Sequence, residues 1–281
     1  MGAGGNVHGI MVPHVPPLIE YEMDHKPSQV VGELKYIGRK MKEWGVEAVV
    51  IADTHWQTRD KFFIDDSSFH RTVMSYHGFR GEIEYDVAGY PELAGVLLEA
   101  AERNLVFPGV EKHGADHAIT IPLHFMFPKK DVPVVPLSIA GTPLCAFRWG
   151  RTMGETLRHW GGKVLFVASG SLSHDLDSFS RGLPPAKYKE FDRQVLKLLS
   201  EGNGMDVLSL NPDLIDAAKS EGNFRDLYML LGVIGSQTRG HVRAYENLSG
   251  IGMGVVEFID SGYDEGDGVL LRDYYYSDLF H

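Results

Sequence analysis

The chain has 281 residues, a formal net charge of -11 at pH 7 and a hydrophobic fraction of 43%. This length allows one large α/β domain or two smaller ones, and the composition is that of an ordinary globular protein. The acidic balance argues against a nucleic-acid partner, which would require a basic surface. No apolar run approaches the roughly 18 residues of a membrane span, and no secretory signal is visible at the N-terminus. We therefore expect no membrane partner.

Cysteine usage adds a further exclusion. Cys145 is the one cysteine of the chain, which rules out an intrachain disulfide and a cysteine-rich zinc cluster. Such low cysteine usage suits a reducing compartment. We therefore expect a cytoplasmic protein.

Short apolar runs alternate with helical patterns along the first part of the chain. Residues 9–12 form a strand-like run that stops at Pro13. Apolar residues at helical spacing predict a helix from Ser28 to Trp44, with Gly45 as its stop. The next predictions are a buried strand at 46–52, loops and short strands over 61–90, and a helix from Pro91 to Asn104.

The same alternation continues to the end of the chain. Residues 132–139 predict a strand whose prolines favour an edge or irregular position. Strands alternating with helices, without an internal repeat or linker, predict a single α/β domain over residues 1–281. The other predicted elements are helices at 143–160 and 185–201, shorter helical pieces at 205–218, an apolar helix after Glu221, and strands at 164–169 and 251–259.

Histidines follow three of the predicted strands. His14, His55 and His174 each lie just past an apolar run, where the carboxyl ends of parallel strands would gather them at one edge of a sheet. His117 opens a further apolar segment, and Glu221 offers a carboxylate at a helix start. Two imidazoles and one carboxylate suit non-haem iron(II), and zinc accepts the same ligands. Each histidine taken alone is equally compatible with a surface or packing position.

Other chemistries fit the sequence less well. His113 and His117 are four residues apart, but Gly114 between them disfavours a regular helix that would present both to a metal. The segment around Ser171 and Ser173 lacks the final glycine of a nucleophile elbow, which leaves a serine hydrolase as a minor alternative. No phosphate-binding or dinucleotide-binding glycine motif is present.

Six short motifs occur in an order that resembles a known family. Between about residues 10 and 235 they read PHVP, DTHW, DHAITIPL, ASGSLSH, EFDRQ and SEGN…MLLG. In this order they resemble the class III (LigB-type) extradiol ring-cleaving dioxygenases. The resemblance implies the LigB-type fold, a single domain with a central mixed sheet flanked by helices.

The resemblance also implies roles for individual residues. His14 of PHVP and His55 of DTHW match the two histidine ligands of iron(II) in the family. The carboxylate ligand is expected before the apolar helix, where Glu221 is preferred and Asp226 is the alternative. His174 matches the active-site acid/base, and His117 matches a second pocket histidine.

The implied activity is the oxygen-dependent opening of a catechol ring to a hydroxymuconic semialdehyde. The substrate expected from the resemblance is 3,4-dihydroxyphenylacetate, cleaved at its 2,3 bond, and other catechols or 2-aminophenols are alternatives. A non-catalytic binding module on the same fold and a zinc enzyme with the same ligands also remain open. The family further implies a homo-oligomer.

Overall fold

The computed structural model describes residues 6–73, 78–103, 109–182 and 186–259. The strands are β1 (Val7–Val12), β2 (Ala48–Gln57), β3 (Phe63–Ile64), β4 (Phe69–His70), β5 (Val87–Ala88), β6 (Gly109–Val110), β7 (Val134–Ile139), β8 (Val164–Ser169), β9 (Gly240–Leu248) and β10 (Ile251–Ile259). The helices are α1 (Pro17–Met23), α2 (Gln29–Trp44), α3 (Pro91–Arg103), α4 (His117–Met126), α5 (Pro143–Trp160), α6 (Leu176–Arg181), α7 (Ala186–Glu201), α8 (Gly204–Leu208), α9 (Pro212–Ala218) and α10 (Arg225–Ile234). A 3₁₀ turn, Glu221–Phe224, leads into α10.

Eight of these strands form one mixed sheet in the order β6-β3-β7-β2-β8-β1-β10-β9. The four strands β7, β2, β8 and β1 are parallel, whereas β10 and β9 continue the sheet as an antiparallel pair. Strands β1, β7 and β8 are buried along their whole length, which explains their continuous apolar sequences. The predicted α/β domain with a mixed central sheet is confirmed.

Helices cover both faces of the sheet, and glycines allow the closest contacts. On one face α5 packs on α10, where a Cβ at Gly150 would lie 2.0 Å from the Met229 carbonyl oxygen. On the other face α2 packs on α4, where a Cβ at Gly38 would lie 2.0 Å from the Met126 carbonyl oxygen. Each face has its own apolar cluster. The sheet is therefore the middle layer of three, and its carboxyl edge is left for ligands.

Local signals in the sequence set the ends of the main helices. The Ser28 hydroxyl accepts a hydrogen bond from the Val31 amide and starts α2, and Gly45 ends the helix in the left-handed region at φ 84°. Thr142 starts α5 in the same way, and Pro143 takes its first position. The bounds predicted for α2, α5 and β8 are confirmed.

Other predictions need correction. β7 is the third strand of the sheet and not an edge, although its outer neighbour β3 pairs with it only through Ile64 and Leu137. A proline is tolerated there because so little of that side of β7 is paired. β2 runs on to Gln57, so that His55 lies in the strand and not beyond it. Strand β9 and helices α1, α4 and α6 were not predicted from the sequence.

Some predictions fall on residues outside the described ranges. These are the ends of the predicted helices at Asn104 and Pro185, together with the acidic tail after Ile259. Within the described ranges, no helix combines the length and the apolar character that crossing a lipid bilayer demands.

Candidate metal centre and active site

The candidate site lies where β1 and β8 end beside Asp53 of β2. Val12 of β1 and Asp53 of β2 both pair with Ser169, the last residue of β8. His14 follows β1 by two residues, and His55 follows Asp53 by two residues along β2. Because the three strands are parallel neighbours, both imidazoles reach the same edge of the sheet. The arrangement expected from the sequence is confirmed.

Three donor atoms meet at this edge. His14 Nε2 lies 3.0 Å from Glu221 Oε1 and 3.2 Å from His55 Nε2. His55 Nε2 lies 3.2 Å from the same carboxylate oxygen. His14 and Glu221 are buried, whereas His55 is open to solvent. Two imidazole nitrogens and one carboxylate oxygen thus face a common point that can be reached from outside.

An unusual turn delivers Glu221 to that point. The three residues after it, Gly222, Asn223 and Phe224, all have left-handed backbones, with φ values of 58°, 50° and 60°. Glycine and asparagine adopt this conformation readily, but phenylalanine does so only under strain. Glu221 Oε2 accepts a hydrogen bond of 2.9 Å from the Ser171 amide in the loop after β8. The carboxylate is therefore fixed at one oxygen and free to bind at the other.

Hydrogen bonds also orient the two imidazoles. Ser169 donates its hydroxyl proton to the Ala118 carbonyl oxygen at 2.5 Å, so its oxygen accepts from His14 Nδ1 at 3.0 Å. His55 Nδ1 lies 3.1 Å from Asp116 Oδ2. In both rings the Nδ1 atom is engaged, and Nε2 is directed at Glu221. Such outer partners are typical of histidines that bind metals.

The charges of the site are mutually stabilising. Burial opposes protonation of His55, but its hydrogen bonds to Asp116 and Glu221 raise its pKa to about 10. Burial likewise opposes ionisation of Glu221, yet the neighbouring His14 and His174 imidazoles hold its pKa well below the usual value. Without a metal, a proton on His55 is thus held between two carboxylates. A metal cation would displace that proton and take over its electrostatic role.

His117 and His174 border the donor set. His117 is the first residue of α4, directly after the capping residue Asp116, and its ring centre lies 4.1 Å from that of His55. His174 Nε2 lies 4.0 Å from Glu221 Oε1. Burial, together with the nearby His14 and His55, lowers the pKa of both imidazoles, that of His117 to about 3. All five side chains singled out in the sequence therefore meet at one place.

A second possible donor set shares two members with the first. His14, His55 and His117 can place one nitrogen each within 4.8 Å of one another. Glu221 Oε1 lies 3.0 and 3.2 Å from the Nε2 atoms of the two shared histidines, and its negative charge offsets that of a cation. We therefore favour Glu221 over His117 as the third donor.

Asp226, the alternative carboxylate, occupies a different place. It is buried against Gly170, where a Cβ would lie 2.7 Å from Asp226 Oδ2. Burial, with a smaller effect of the Glu221 charge, raises the pKa of Asp226 to about 8. Among the described residues, no site imidazole forms an ion pair with Asp226. A carboxyl group that stays protonated at neutral pH is a poor metal ligand.

His113 belongs to a neighbouring network and not to the donor set. His113 Nε2 lies 3.0 Å from Asp53 Oδ2 and 4.0 Å from Asp116 Oδ2, and its ring stacks on Trp56. These carboxylates also accept hydrogen bonds from the backbone amides of His55 and Ala118. The network therefore supports the strand and helix that carry His55 and His117. The sequence analysis missed Asp116 and Ser169, although Asp116 stands at the N-cap position of a recognisable helix start.

The serine hydrolase alternative finds no support in the geometry. Ser173 donates its hydroxyl to Asp192 at 3.0 Å. The Ser171 hydroxyl is buried and has no hydrogen-bond partner in the described part of the chain. Neither serine has the histidine partner that activates a hydrolase nucleophile.

Comparison with known proteins places this geometry in a family. The family model described as the catalytic LigB subunit of aromatic ring-opening dioxygenase matches residues 8–256. The chain is 27% identical over 245 residues to 3,4-dihydroxyphenylacetate 2,3-dioxygenase of Escherichia coli, covering 80% of this chain and 88% of that enzyme. It is 29% identical over 199 residues to 4,5-DOPA dioxygenase extradiol of Beta vulgaris, covering 66% and 68%.

Two further similarities are more distant. The chain is 22% identical over 252 residues to the 2-aminophenol 1,6-dioxygenase beta subunit of a Pseudomonas species, covering 79% and 83%. The crystal structure of an uncharacterized Escherichia coli K12 protein has the same fold, with a TM-score of 0.67 and 20% identity over 89% of this chain and 98% of that one. With the family model matched over most of its length, the chain belongs to the LigB family of aromatic ring-opening dioxygenases and is an extradiol ring-cleavage enzyme.

Proposed function

We propose that this enzyme uses iron(II) to open the ring of a catechol beside its two hydroxyl groups. The observation that carries the proposal is the convergence of His14 Nε2, His55 Nε2 and Glu221 Oε1 within 3.0 to 3.2 Å of one another. Two imidazoles and one carboxylate on one side of an ion are the ligand set of non-haem iron(II) enzymes that react with dioxygen. We therefore assign these three residues as ligands.

The surroundings of the donor set fit a divalent cation. Both histidines have their outer nitrogens engaged by Ser169 and Asp116, and Glu221 has its outer oxygen engaged by the Ser171 amide. When bound, iron(II) would supply the redox chemistry that dioxygen needs, while the protein supplies orientation and charge. Three protein ligands leave the remaining positions for reactants.

The substrate would lie on the open side, between His55, His117 and His174, which are all reachable from solvent. We assign His174 as the acid/base that accepts a hydroxyl proton from the diol and later returns it. A neutral imidazole is suited to this role. His117, whose ring lies beside that of His55, is assigned to donate or accept a hydrogen bond at the second reacting oxygen. Holding the diol between these rings removes much of the entropic barrier.

The overall reaction balances without an added reductant. One ring carbon–carbon bond next to the diol breaks, and both atoms of dioxygen enter the product. The catechol proton taken up by His174 is returned before release. The product is a hydroxymuconic semialdehyde, whose conjugation makes it yellow.

We infer that the substrate is 3,4-dihydroxyphenylacetate, cleaved at the 2,3 bond. The support is the Escherichia coli relative of that name, which is similar over 80% of this chain. The relatives named for 4,5-DOPA and 2-aminophenol make these two compounds the relevant competitors. We further infer that residues 1–281 form a single catalytic domain that works in the cytoplasm as a homo-oligomer.

The test is anaerobic purification, iron analysis and assay in air. The protein would be depleted of metal and reloaded with iron(II) or zinc, and 3,4-dihydroxyphenylacetate, L-DOPA and 2-aminophenol would be compared by kcat/KM. We expect a yellow product with iron(II) only, and the highest kcat/KM with 3,4-dihydroxyphenylacetate. Sedimentation would give the oligomeric state.

Three outcomes would each contradict one part of the proposal. Absence of product from every catechol and aminophenol tested, with iron(II) bound, would reject ring cleavage. Equal activity with zinc would reject the assignment of iron. A higher kcat/KM for L-DOPA or 2-aminophenol would reject only the substrate.

A further inference from the structure

The loop that carries His174 is held by its backbone and not by its imidazole. Leu172 N donates to the Gly252 carbonyl at 2.9 Å, and Gly252 N donates to the Ser173 carbonyl at 2.8 Å. His174 N donates to the Ala218 carbonyl at 3.1 Å. For the ring itself, the polar contact within the described residues is Glu221, at 4.0 Å. The position of the imidazole therefore depends on what holds the peptide around it.

A buried carboxylate lies directly behind this peptide. Asp192 of α7 is fully buried, and its Oδ2 atom accepts hydrogen bonds from Ser173 Oγ at 3.0 Å and from Tyr245 OH at 2.7 Å. A Cβ at Gly252 would lie 2.1 Å from the same oxygen. Asp192 thus packs flat on β10 and ties together helix α7, strand β9 and the residue before His174.

Burying the Asp192 carboxylate is unfavourable for folding, and its contact with Ser173 gives a reason for its presence. Asp192 Oδ1 is buried and has no hydrogen-bond partner within the described ranges. A buried, half-satisfied carboxylate destabilises a fold unless it provides something else. Val195 and Leu199, three and seven residues after Asp192 on α7, belong to the buried apolar cluster, so a hydrophobic residue would be the simpler choice for packing alone.

We propose that Asp192 is a positioning residue that sets the His174 imidazole by fixing the Ser173 side chain. This rests on the function proposed above, in which His174 transfers the proton. The EFDRQ motif, which contains Asp192, then has a part in the reaction although it lies outside the site. Asp192 does not touch the substrate, and it acts only through Ser173.

The two hydrogen bonds of Asp192 provide a matched pair of variants. Ser173→Ala removes the link to the His174 loop and keeps that to Tyr245, whereas Tyr245→Phe removes the link to β9 and keeps that to Ser173. Ser173→Ala loses one buried hydrogen bond, whereas Tyr245→Phe loses a partly buried one together with a long one of 3.4 Å from Asn247, so Tyr245→Phe should lower Tm at least as much as Ser173→Ala. We expect kcat to fall by about 10- to 100-fold in Ser173→Ala only, with KM and metal content unchanged. The double variant Ser173→Ala/Asp192→Asn should be no worse than Ser173→Ala alone, because the two groups act as one unit.

A conservative change completes the test. Asp192→Asn keeps an oxygen acceptor and should retain kcat, whereas Asp192→Leu removes the acceptor and should reproduce Ser173→Ala. If Asp192→Leu does not fold, the pair Ser173→Ala and Tyr245→Phe decides alone. A kcat for Ser173→Ala within about twofold of wild type, or an equal loss in Tyr245→Phe, would overturn the proposal and leave Asp192 a purely structural residue.

A readout without turnover separates this proposal from the proposed function. Histidine ring nitrogen spectra of the zinc-loaded protein, with His174 assigned through His174→Gln, report the imidazole directly. We expect its resonances to shift in Ser173→Ala and to stay unchanged in Tyr245→Phe. Unshifted resonances in Ser173→Ala would reject positioning even if ring cleavage is confirmed. Shifted resonances would support it even if no catechol is cleaved.

Discussion

His14 and His55 are held differently from His174, although all three face Glu221. His14 and His55 are fixed through their rings, by Ser169 at 3.0 Å and Asp116 at 3.1 Å. His174 is fixed through its peptide, and the polar contact of its ring within the described ranges is Glu221, at 4.0 Å. A histidine that binds a metal must keep one nitrogen lone pair directed at the ion. A histidine that transfers a proton must be able to rotate between the group that donates the proton and the group that accepts it. The difference in support therefore matches the difference in assigned role.

Removing a ring-fixed imidazole should give the largest effect. His55→Ala deletes one of three donors and leaves Glu221 and Asp116 without their shared cation. We expect the purified variant to retain no stoichiometric iron and to lose turnover by more than about 1,000-fold. Metal analysis together with a chelator competition assay measures this. Stoichiometric iron in His55→Ala would remove His55 from the ligand set.

Removing the peptide-fixed imidazole should separate metal binding from turnover. His174→Phe preserves ring volume and should keep iron at the wild-type level, while kcat falls by about 100- to 10,000-fold because general acid–base catalysis is lost. The comparison requires kcat and iron content from the same preparation. Near-normal turnover would show that another group carries the proton, and loss of iron would make His174 a ligand.

Weakening the ring support should give an intermediate effect. Asp116→Asn keeps the shape of the side chain but reduces the negative charge that His55 Nδ1 contacts at 3.1 Å. We expect metal affinity to fall by about 10- to 100-fold with little change in fold. Asp65→Asn is a useful control, because Asp65 accepts hydrogen bonds from the His113 and Gly114 amides of the preceding loop and does not contact His55. An equal loss of metal affinity in both variants would assign the effect to the loop.

Asp226, the carboxyl group not assigned as a metal ligand, should affect the stability of the fold and not metal binding. The pKa of Asp226 is raised to about 8, chiefly by burial, so the folded state holds its proton more tightly than the unfolded state does. The contribution of Asp226 to the free energy of unfolding is fully present at low pH. It is lost as the pH rises toward 8, by up to about 1.4 kcal/mol per pH unit. Asp226→Asn should flatten this part of the free energy of unfolding against pH and keep iron. Loss of iron in Asp226→Asn would instead make Asp226 the carboxylate ligand.

Much of this arrangement was predictable from local patterns. The strand 164–169 and the helix 143–160 were correct to the residue, because apolar runs, Thr142, Pro143 and the glycines after Trp160 mark their ends. The strand-end histidines indicated the sheet edge because parallel neighbours share one edge. The sheet order itself came from tertiary pairing. β9 was missed because it is an edge strand with a mostly half-exposed, mixed sequence.

The supporting residues were harder to find than the site residues. Asp116 and Ser169 act through hydrogen bonds to side chains 61 and 155 positions away, and no local pattern encodes such a contact. Two other aspartates close to the site histidines in sequence, Asp53 and Asp175, have different partners. Asp53 holds the backbone of β2 and His113, and Asp175 binds Lys219, Tyr188 and Ser178.

The distance along the chain between donors has a consequence for how the protein acquires its metal. His14 and Glu221 are 207 positions apart, and they meet only when β1, β8 and the turn before α10 are all in place. Closing a loop of that length has an entropic cost that no early folding step offsets. The complete donor set therefore exists only after these elements have folded together, and a metal that needs all three donors would bind after them. Binding of the ion would stabilise a fold that has already formed. It would therefore lower the unfolding rate more than it raises the folding rate.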